Sequence, residues 1–223
     1  MSAGVDASPG IAYHLRELEI VRTPGHPRRA LPPGPFEGTV VLDVGCGIGQ
    51  QLLAPELAAC AERVGVDPDA EAIDYGRARF PELQLVVGRA ERLPFDDGRF
   101  DLVFSRVALP YTDLRRSLAE IRRVARPGAR VWLTLHPWRM ERGEWLRVLR
   151  SRSARGAVDR CYVAANSLLL AATGRCVARP WSGLPESVQM PGPVSRMLRR
   201  LGFEDVRAGL TTHFIVEARV PPR

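Results

Sequence analysis

A chain of 223 residues, 45% hydrophobic and 26% charged, is long enough for one well-cored domain with an elaboration and too short for two ordinary enzyme domains. No apolar stretch is long enough to cross a bilayer, which excludes a helical membrane span. The formal charge of +7 would suit a polyanionic partner, but all 32 basic residues are arginine, so a compositional bias of the source and a solvated arginine-rich surface explain it more simply than a nucleic-acid groove. The stretch Met1 to Asp6 lacks the basic start and apolar run of a secretory signal, and cytoplasmic residence is the expectation. Cys46, Cys60, Cys161 and Cys176 form no C-x-x-C pair and have no histidines at zinc-finger spacing, so they read as reduced thiols, and no metal is expected.

In chain order, Ile11, Leu15, Leu18 and Ile20 recur at helical intervals and predict a short N-terminal helix, followed by a Pro/Gly-rich linker to residue 38. Thr39 to Val44 is an apolar run that suits a strand buried on both faces of a parallel sheet. A helix across Gln50 to Arg63 is expected next, with Pro55 as an irregularity that shifts its regular part toward that residue. Then follow strand Val64 to Val66, helix Asp69 to Phe80, strands Leu83 to Val87 and Phe100 to Ser105, helix Leu114 to Ala125, and strand Arg130 to Leu135. Alternating short strands and helices imply right-handed crossovers and a mostly parallel sheet. The rhythm stops from 137 to about 190, where two helices of an insertion are expected. It resumes with a helix over Val194 to Leu201 and two strands, Glu204 to Ala208 and His213 to Val220, read as an antiparallel edge pair. The whole is one domain: N-terminal helix and linker (1–38), a core (39–136), a lid-like helical insertion (137–190), and a final helix with edge strands (191–223).

The chemistry gathers where strands end. Asp43-Val44-Gly45-Cys46-Gly47-Ile48-Gly49 stands where the first strand turns, and its G-x-G-x-G spacing is not the dinucleotide G-x-G-x-x-G, since Gln50 follows. Asp43 puts a carboxylate at the strand end, an unusual choice for a diphosphate but suited to a ligand with an ammonium group. Asp67 closes the second strand, where a doubly wound fold presents an acid to ribose hydroxyls. Gly88 to Phe95 follows the third strand and Ser105-Arg106-Val107 the fourth, all at the carboxyl ends where open α/β sheets bind ligands.

The strings VLDVGCGIGQ, VGVDPDAEAI, GRAERLPFDDGRFDLVFSR and AEIRRVARPGARVWLTLHP, in that order between Val40 and Pro137, resemble the class I S-adenosylmethionine-dependent methyltransferases. The likeness is to the type 11 branch that includes ubiquinone- and menaquinone-biosynthesis C-methyltransferases. It implies a Rossmann-like, doubly wound, mostly parallel seven-stranded α/β sheet with an antiparallel edge pair. It also implies that Asp43, Gly45, Cys46, Gly47 and Gly49 hold the methionine part of S-adenosylmethionine, that Asp67 accepts from the ribose hydroxyls, and that Pro68 flanks the adenine. Arg89 stands where the branch commonly has an aspartate for the adenine amino group, leaving Ala90 and Glu91 as replacements; Ser105 borders the same site. Each has a plainer reading: an ordinary βα turn for the glycines, a helix cap or surface acid for Asp67.

Methyl transfer from a sulfonium is an in-line displacement governed by placement, and a base is needed only for some acceptors. His136, at the end of the fifth strand, is the positional candidate for a base, with simple packing of that strand end equally open. Tyr111, after Pro110, either faces the acceptor or packs on the insertion. Tyr13 and His14 read on spacing first as helix-face residues, the resemblance offering instead that the N-terminal helix closes them over the cofactor, and Glu186 and Ser187 border a pocket or end a loop. Trp138, Trp145 and Leu168 to Leu170, in a stretch that also carries Trp181, supply apolar walls for a partly apolar small molecule or pack the insertion down. Most of Arg139, Arg142, Arg147, Arg150, Arg152, Arg155 and Arg160 read as a solvated face. The competing functions are an RNA methyltransferase gripping phosphates with those arginines, and a methyltransferase-like protein that binds without turnover. An NAD-dependent oxidoreductase is disfavoured by the glycine spacing.

Overall fold

Val40–Val44 forms β1, and its side chains alternate between two cores: Leu42 and Val44 are buried on one face of the sheet and Val41 on the other. This two-sided burial is why the run is apolar rather than alternating. The computed structural model describes residues 8–136, 138–180, 183–210 and 213–222, with the backbone alone for 138–141. Around β1 lie β2 (Glu62–Asp67), β3 (Gln84–Val87), β4 (Phe100–Arg106), β5 (Ala125–Leu135), β6 (Glu204–Leu210) and β7 (Phe214–Arg219), in the order β3-β2-β1-β4-β5-β7-β6. The first five pair in parallel; β7 runs antiparallel to both β5 and β6, so an otherwise parallel sheet ends in the expected antiparallel pair.

Helices cover both faces. α1 (Pro9–Arg22) and α2 (Ala70–Arg79) lie on one side, where Val21 and Ile73 join Leu102, Phe104 and Trp132. α3 (Leu114–Val124) and α6 (Pro191–Arg200) lie on the other. The reason is periodic: Leu114, Leu118, Ile121 and Val124 fall on one stripe of α3 and are all buried. Full burial of a leucine such as Leu118 contributes about 1.5–3 kcal/mol. Side-chain caps fix the starts: Asp69 accepts from the N–H groups of Glu71 and Ala72, and Asp113 from Arg116. The insertion is α4 (Trp138–Ser151) and α5 (Ala154–Thr173); Ser153 caps α5, and Gly174 ends it in the left-handed conformation. No helix among the described residues is long and apolar enough to cross a membrane.

One expected element is absent. In place of a helix from Gln50 to Arg63 there are two short 3₁₀ turns, Gln50–Leu53 and Pro55–Ala59, separated by an extended Ala54. The residue before a proline is pushed out of the helical region, and β2 already begins at Glu62, so no regular helix has room. β5 also begins earlier than Arg130: it includes Arg126, Pro127 and Gly128, and its register against β4 shifts between Phe100 and Leu102.

Candidate functional site

β1 and β2 deliver the glycine turn and its acid to the same end of the sheet. Gly45 N–H and Cys46 N–H donate to the Val66 carbonyl at 2.8 and 3.1 Å, which folds the turn back over β2. Gly45 and Gly47 have φ of +81° and +55°. A Cβ on Gly45 would collide with that of Ala108, and one on Gly47 with the His14 ring. Asp67 Oδ2 accepts from Gly47 N–H at 2.8 Å and Oδ1 from Asp69 N–H at 2.9 Å. Each carboxylate oxygen keeps a further lone-pair direction, so both can still accept from vicinal hydroxyls. The Cys46 side chain is fully buried against Gly65, and its thiol is pushed well up by burial, with Asp43 and Asp67 adding. That thiol is a packing group; only its backbone belongs to the turn.

Asp43 is the anomaly. It is 1% exposed, and neither carboxylate oxygen has a hydrogen-bond partner. Burial pushes its carboxyl well above the usual range, Asp67 pushes the same way, and Arg106 opposes. A buried polar group left unpaired costs about 1–3 kcal/mol. Thr134 Oγ1 and Arg106 Nε are also buried without partners, as is the Gln51 amide in the turn that follows the glycines. Asp43, Arg106 and Thr134 fall on the same face of neighbouring strands, because Asp43 is in register with Phe104, and Arg106 with Thr134. A ligand carrying an ammonium and further polar groups would satisfy this set, which is the donor and acceptor pattern of a zwitterionic amino-acid moiety.

The roof over this patch is α1. His14, Glu17, Leu18 and Val21 share one helical face, and of these Glu17 is the polar residue that the sequence did not single out. Glu17 is 2% exposed and accepts from Arg28 Nη2 and Arg106 Nη1, each at 2.5 Å. Arg106 Nη2 also donates to the Arg28 carbonyl at 3.1 Å. The available signal was an acid in step with the apolar stripe; its partner, 89 residues away, carried none. His14, read first as a helix-face residue with closure over the cofactor as the alternative, lies over the glycine turn, its pKa lowered by burial despite Asp67, Asp69 and Glu17.

Several residues expected at the cofactor use their polar atoms on the fold. Ser105 is fully buried and donates to the Val44 carbonyl at 2.7 Å, clamping β4 to β1. Glu91 accepts from Asp113 N–H at 3.1 Å and pairs with Arg89 at 3.5 Å, so it anchors the start of α3. Ala90 is buried and Pro68 exposed, on the loops after β3 and β2.

Tyr111 and His136, from the loops after β4 and β5, meet: Nε2 and Oη lie 2.9 Å apart, with the rings edge to face. Burial raises the Tyr111 pKa, with Glu186 and Tyr13 adding. Burial lowers that of His136, Glu186 opposing and Arg160 assisting. Glu186 belongs to a cluster closed by the insertion: Arg179 reaches Glu186 at 2.5 Å and Asp159 at 3.1 Å, and Arg160 reaches Asp159 at 2.7 Å. Arg160 is thus not part of a solvated face, as expected of it, but a largely covered ion-pair member. Ser187, 1% exposed, is bonded to Gln189 and Cys176 and forms no pocket rim. The leucine patch also divides: Leu168 is 67% exposed, while Leu170 packs into the core with α6. Successive helical residues point about 100° apart, so three in a row cannot form one wall. Trp145 is half-buried; Trp181 and the Trp138 side chain lie outside the described residues.

Residues 42–133 match the family model described as a methyltransferase domain. That span holds the glycine turn, Asp67 and the loop after β4. Those residues form a methyltransferase domain similar to the class I S-adenosylmethionine-dependent enzymes of the type 11 kind. The methyltransferase domain is similar to the uncharacterized methyltransferase Rv3342 of Mycobacterium tuberculosis, 38% identical over 109 residues, which are 49% of this chain and 44% of the relative. It is also similar to the phthiotriol/phenolphthiotriol dimycocerosates methyltransferase of M. tuberculosis, 43% identical over 96 residues, 41% of this chain and 35% of the relative. The chain therefore matches less than half the length of either. A solved S-adenosylmethionine-dependent methyltransferase from Mesorhizobium loti superposes with a TM-score of 0.57 at 16% identity, covering 85% of this chain and 93% of that one, a likeness of fold. S-adenosylmethionine is the cofactor of such a domain, and the unpartnered Asp43 carboxylate and the open lone pairs of Asp67 fit its ammonium and ribose.

Proposed function

We propose that the protein transfers a methyl group from S-adenosylmethionine to a small, partly apolar acceptor, with Tyr111 and His136 handling the acceptor's proton. The observation that carries the reading is the Tyr111–His136 contact of 2.9 Å at the carboxyl ends of β4 and β5, beside the strand ends that hold the glycine turn. When bound, the cofactor supplies an electrophilic methyl carbon on a sulfonium. Asp43 would hold its ammonium, Asp67 its ribose, and α1 would exclude water from above. Burial keeps the His136 imidazole neutral near pH 7, so it can take a proton from an acceptor hydroxyl, amine or acidic C–H. Tyr111 orients that imidazole through the shared hydrogen bond and can pass the proton along it. A partly apolar acceptor is supported by Trp145 and Tyr111 near the insertion, and by the relative named for a dimycocerosate lipid. The test is incubation with methyl-labelled S-adenosylmethionine and a fractionated extract of the source organism. Label is expected in a small organic-soluble molecule, and label confined to RNA or protein would overturn the small-molecule reading.

A further inference from the structure

The outer face of α4 and the start of α5 carry side chains that the site does not use. Trp145 is half-buried, and Val148 packs on Gly156 of α5, so these two define the inner face of α4. Arg142, Leu146, Leu149 and Arg150 fall within one arc of about 100° that starts beside Trp145, which Arg142 precedes by three and Leu149 follows by four, and turns away from Val148. Leu146 and Leu149 are 52% and 66% exposed, and Val158, one turn into α5, is 62% exposed. Arg142, Arg150 and Arg155 are exposed, and among the described residues none of them has a carboxylate at ion-pair distance; Glu144 is taken by Arg147. Apolar and cationic side chains therefore share one exposed face of α4.

We infer that this face of α4 docks on an anionic lipid bilayer, the leucines entering the headgroup layer and the arginines meeting lipid phosphates. An exposed leucine among arginines is costly in water yet suited to the interface, where the guanidinium can reach phosphate while its stem lies along the apolar layer. A second copy of this chain is a poor occupant, since the same unpaired arginines would face each other. The mode is peripheral, in keeping with the absence of a spanning helix among the described residues. The surface adjoins the site along the chain: α4 begins two residues after His136. A lipid-like acceptor would then pass from the bilayer to Tyr111 and His136. That last step rests on the proposed function; the docking itself does not.

The test is co-sedimentation of the full chain with phosphatidylcholine vesicles, with and without an equal part of phosphatidylglycerol, at low and physiological salt. Binding is expected only to the anionic vesicles, weakening as salt rises. Arg142→Glu with Arg150→Glu should lower the partition coefficient at least about tenfold, and Leu149→Asp should lower it several-fold, with melting temperature and cofactor binding unchanged. Absence of binding at low salt, equal binding by the charge-reversed variant, or poly(U) binding that Leu149→Asp leaves intact would overturn the inference, the last in favour of a plain polyanion surface. Because vesicle binding is read without turnover, its failure is distinguishable from failure of the methyl-transfer reading.

Discussion

The half of the molecule around β1 and β2 and the half around β4, β5 and the insertion are built on different principles. The first presents backbone turns and two carboxylates, one of them buried and unpaired. The second assembles side chains from three distant segments: Tyr111 after β4, His136 after β5, and Glu186 after α5. A backbone cradle suits a ligand that never changes, while separate side chains on loops can be exchanged without disturbing the sheet. The first half thus fits an invariant cofactor, and under the proposed function the second half is the one that would select the methyl acceptor.

The sharpest way to break the first half is Gly47→Arg. Saturating S-adenosylmethionine, at about 100 times its Kd, should raise the melting temperature of the parent by about 5–10 °C. The variant should show no shift, because its side chain must enter the space shared with His14 at a φ of +55°. The melting temperature of the free variant, read alongside, separates lost binding from lost folding. A retained shift would mean that the cofactor does not use this turn.

His136→Asn addresses the second half and should leave that thermal shift intact while lowering kcat by about 10²–10⁴ on the true acceptor. The pH dependence has a definite sign. Burial lowers the His136 pKa, so the parent's rate should rise through a midpoint below the ordinary 6.5 as the imidazole loses its proton, and this limb should vanish in the variant. Tyr111→Phe should keep the limb but displace it, since the partner of Nε2 is lost. An unchanged profile in both variants would make the pair structural and shift the proton's destination to bulk water.

Asp43→Asn sets the cost of a cradle against its use. With the folded-state pKa raised, the parent's stability from this group is fully present below the ordinary carboxylate value of about 3.9 and is lost as pH rises through the raised one. The asparagine variant should therefore be more stable than the parent by about 1–3 kcal/mol at neutral pH, without that advantage near pH 3, while binding S-adenosylmethionine more weakly. Chemical denaturation at the two pH values measures it. Equal pH dependence in both proteins would show that Asp43 is solvated or paired in solution.

The two halves also differed in legibility. Asp43, the glycines and Asp67 lie in contiguous strings whose spacing follows from a strand turning into a loop, so their assembly could be read residue by residue. Tyr111 and His136 could be placed at strand ends but not paired, because a contact across 25 residues depends on how two loops bend. The Glu17–Arg106 bridge that seats α1 was invisible for the same reason. Where local pattern misled, a specific rule explains it: Gln50 to Arg63 has helical composition, but Pro55 forces Ala54 into an extended conformation. Leu168 to Leu170 form a patch in sequence and not in space. Ser105 and Glu91 sit where expected, but neighbouring backbone groups occupy their polar atoms.

Val107 offers the smallest and most local test of how the halves meet. It follows β4 with a φ of +59°, and its N–H donates to the Thr134 carbonyl at 2.9 Å. The next residue, Ala108, is the one that presses on Gly45, so a β-branched side chain in the left-handed region lies at the junction of the cofactor turn and the acceptor loop. This conformation costs such a residue about 1–2 kcal/mol, and glycine adopts it freely at an entropic cost of about 0.5–1 kcal/mol. Val107→Gly should therefore raise the melting temperature by a few degrees at most, and because glycine holds the same φ it should leave the cofactor-induced shift intact. A lower melting temperature would show that packing of the valine side chain outweighs the strain. A weakened cofactor shift with stability preserved would show instead that rigidity at this junction, and not its shape alone, keeps Ala108 against Gly45.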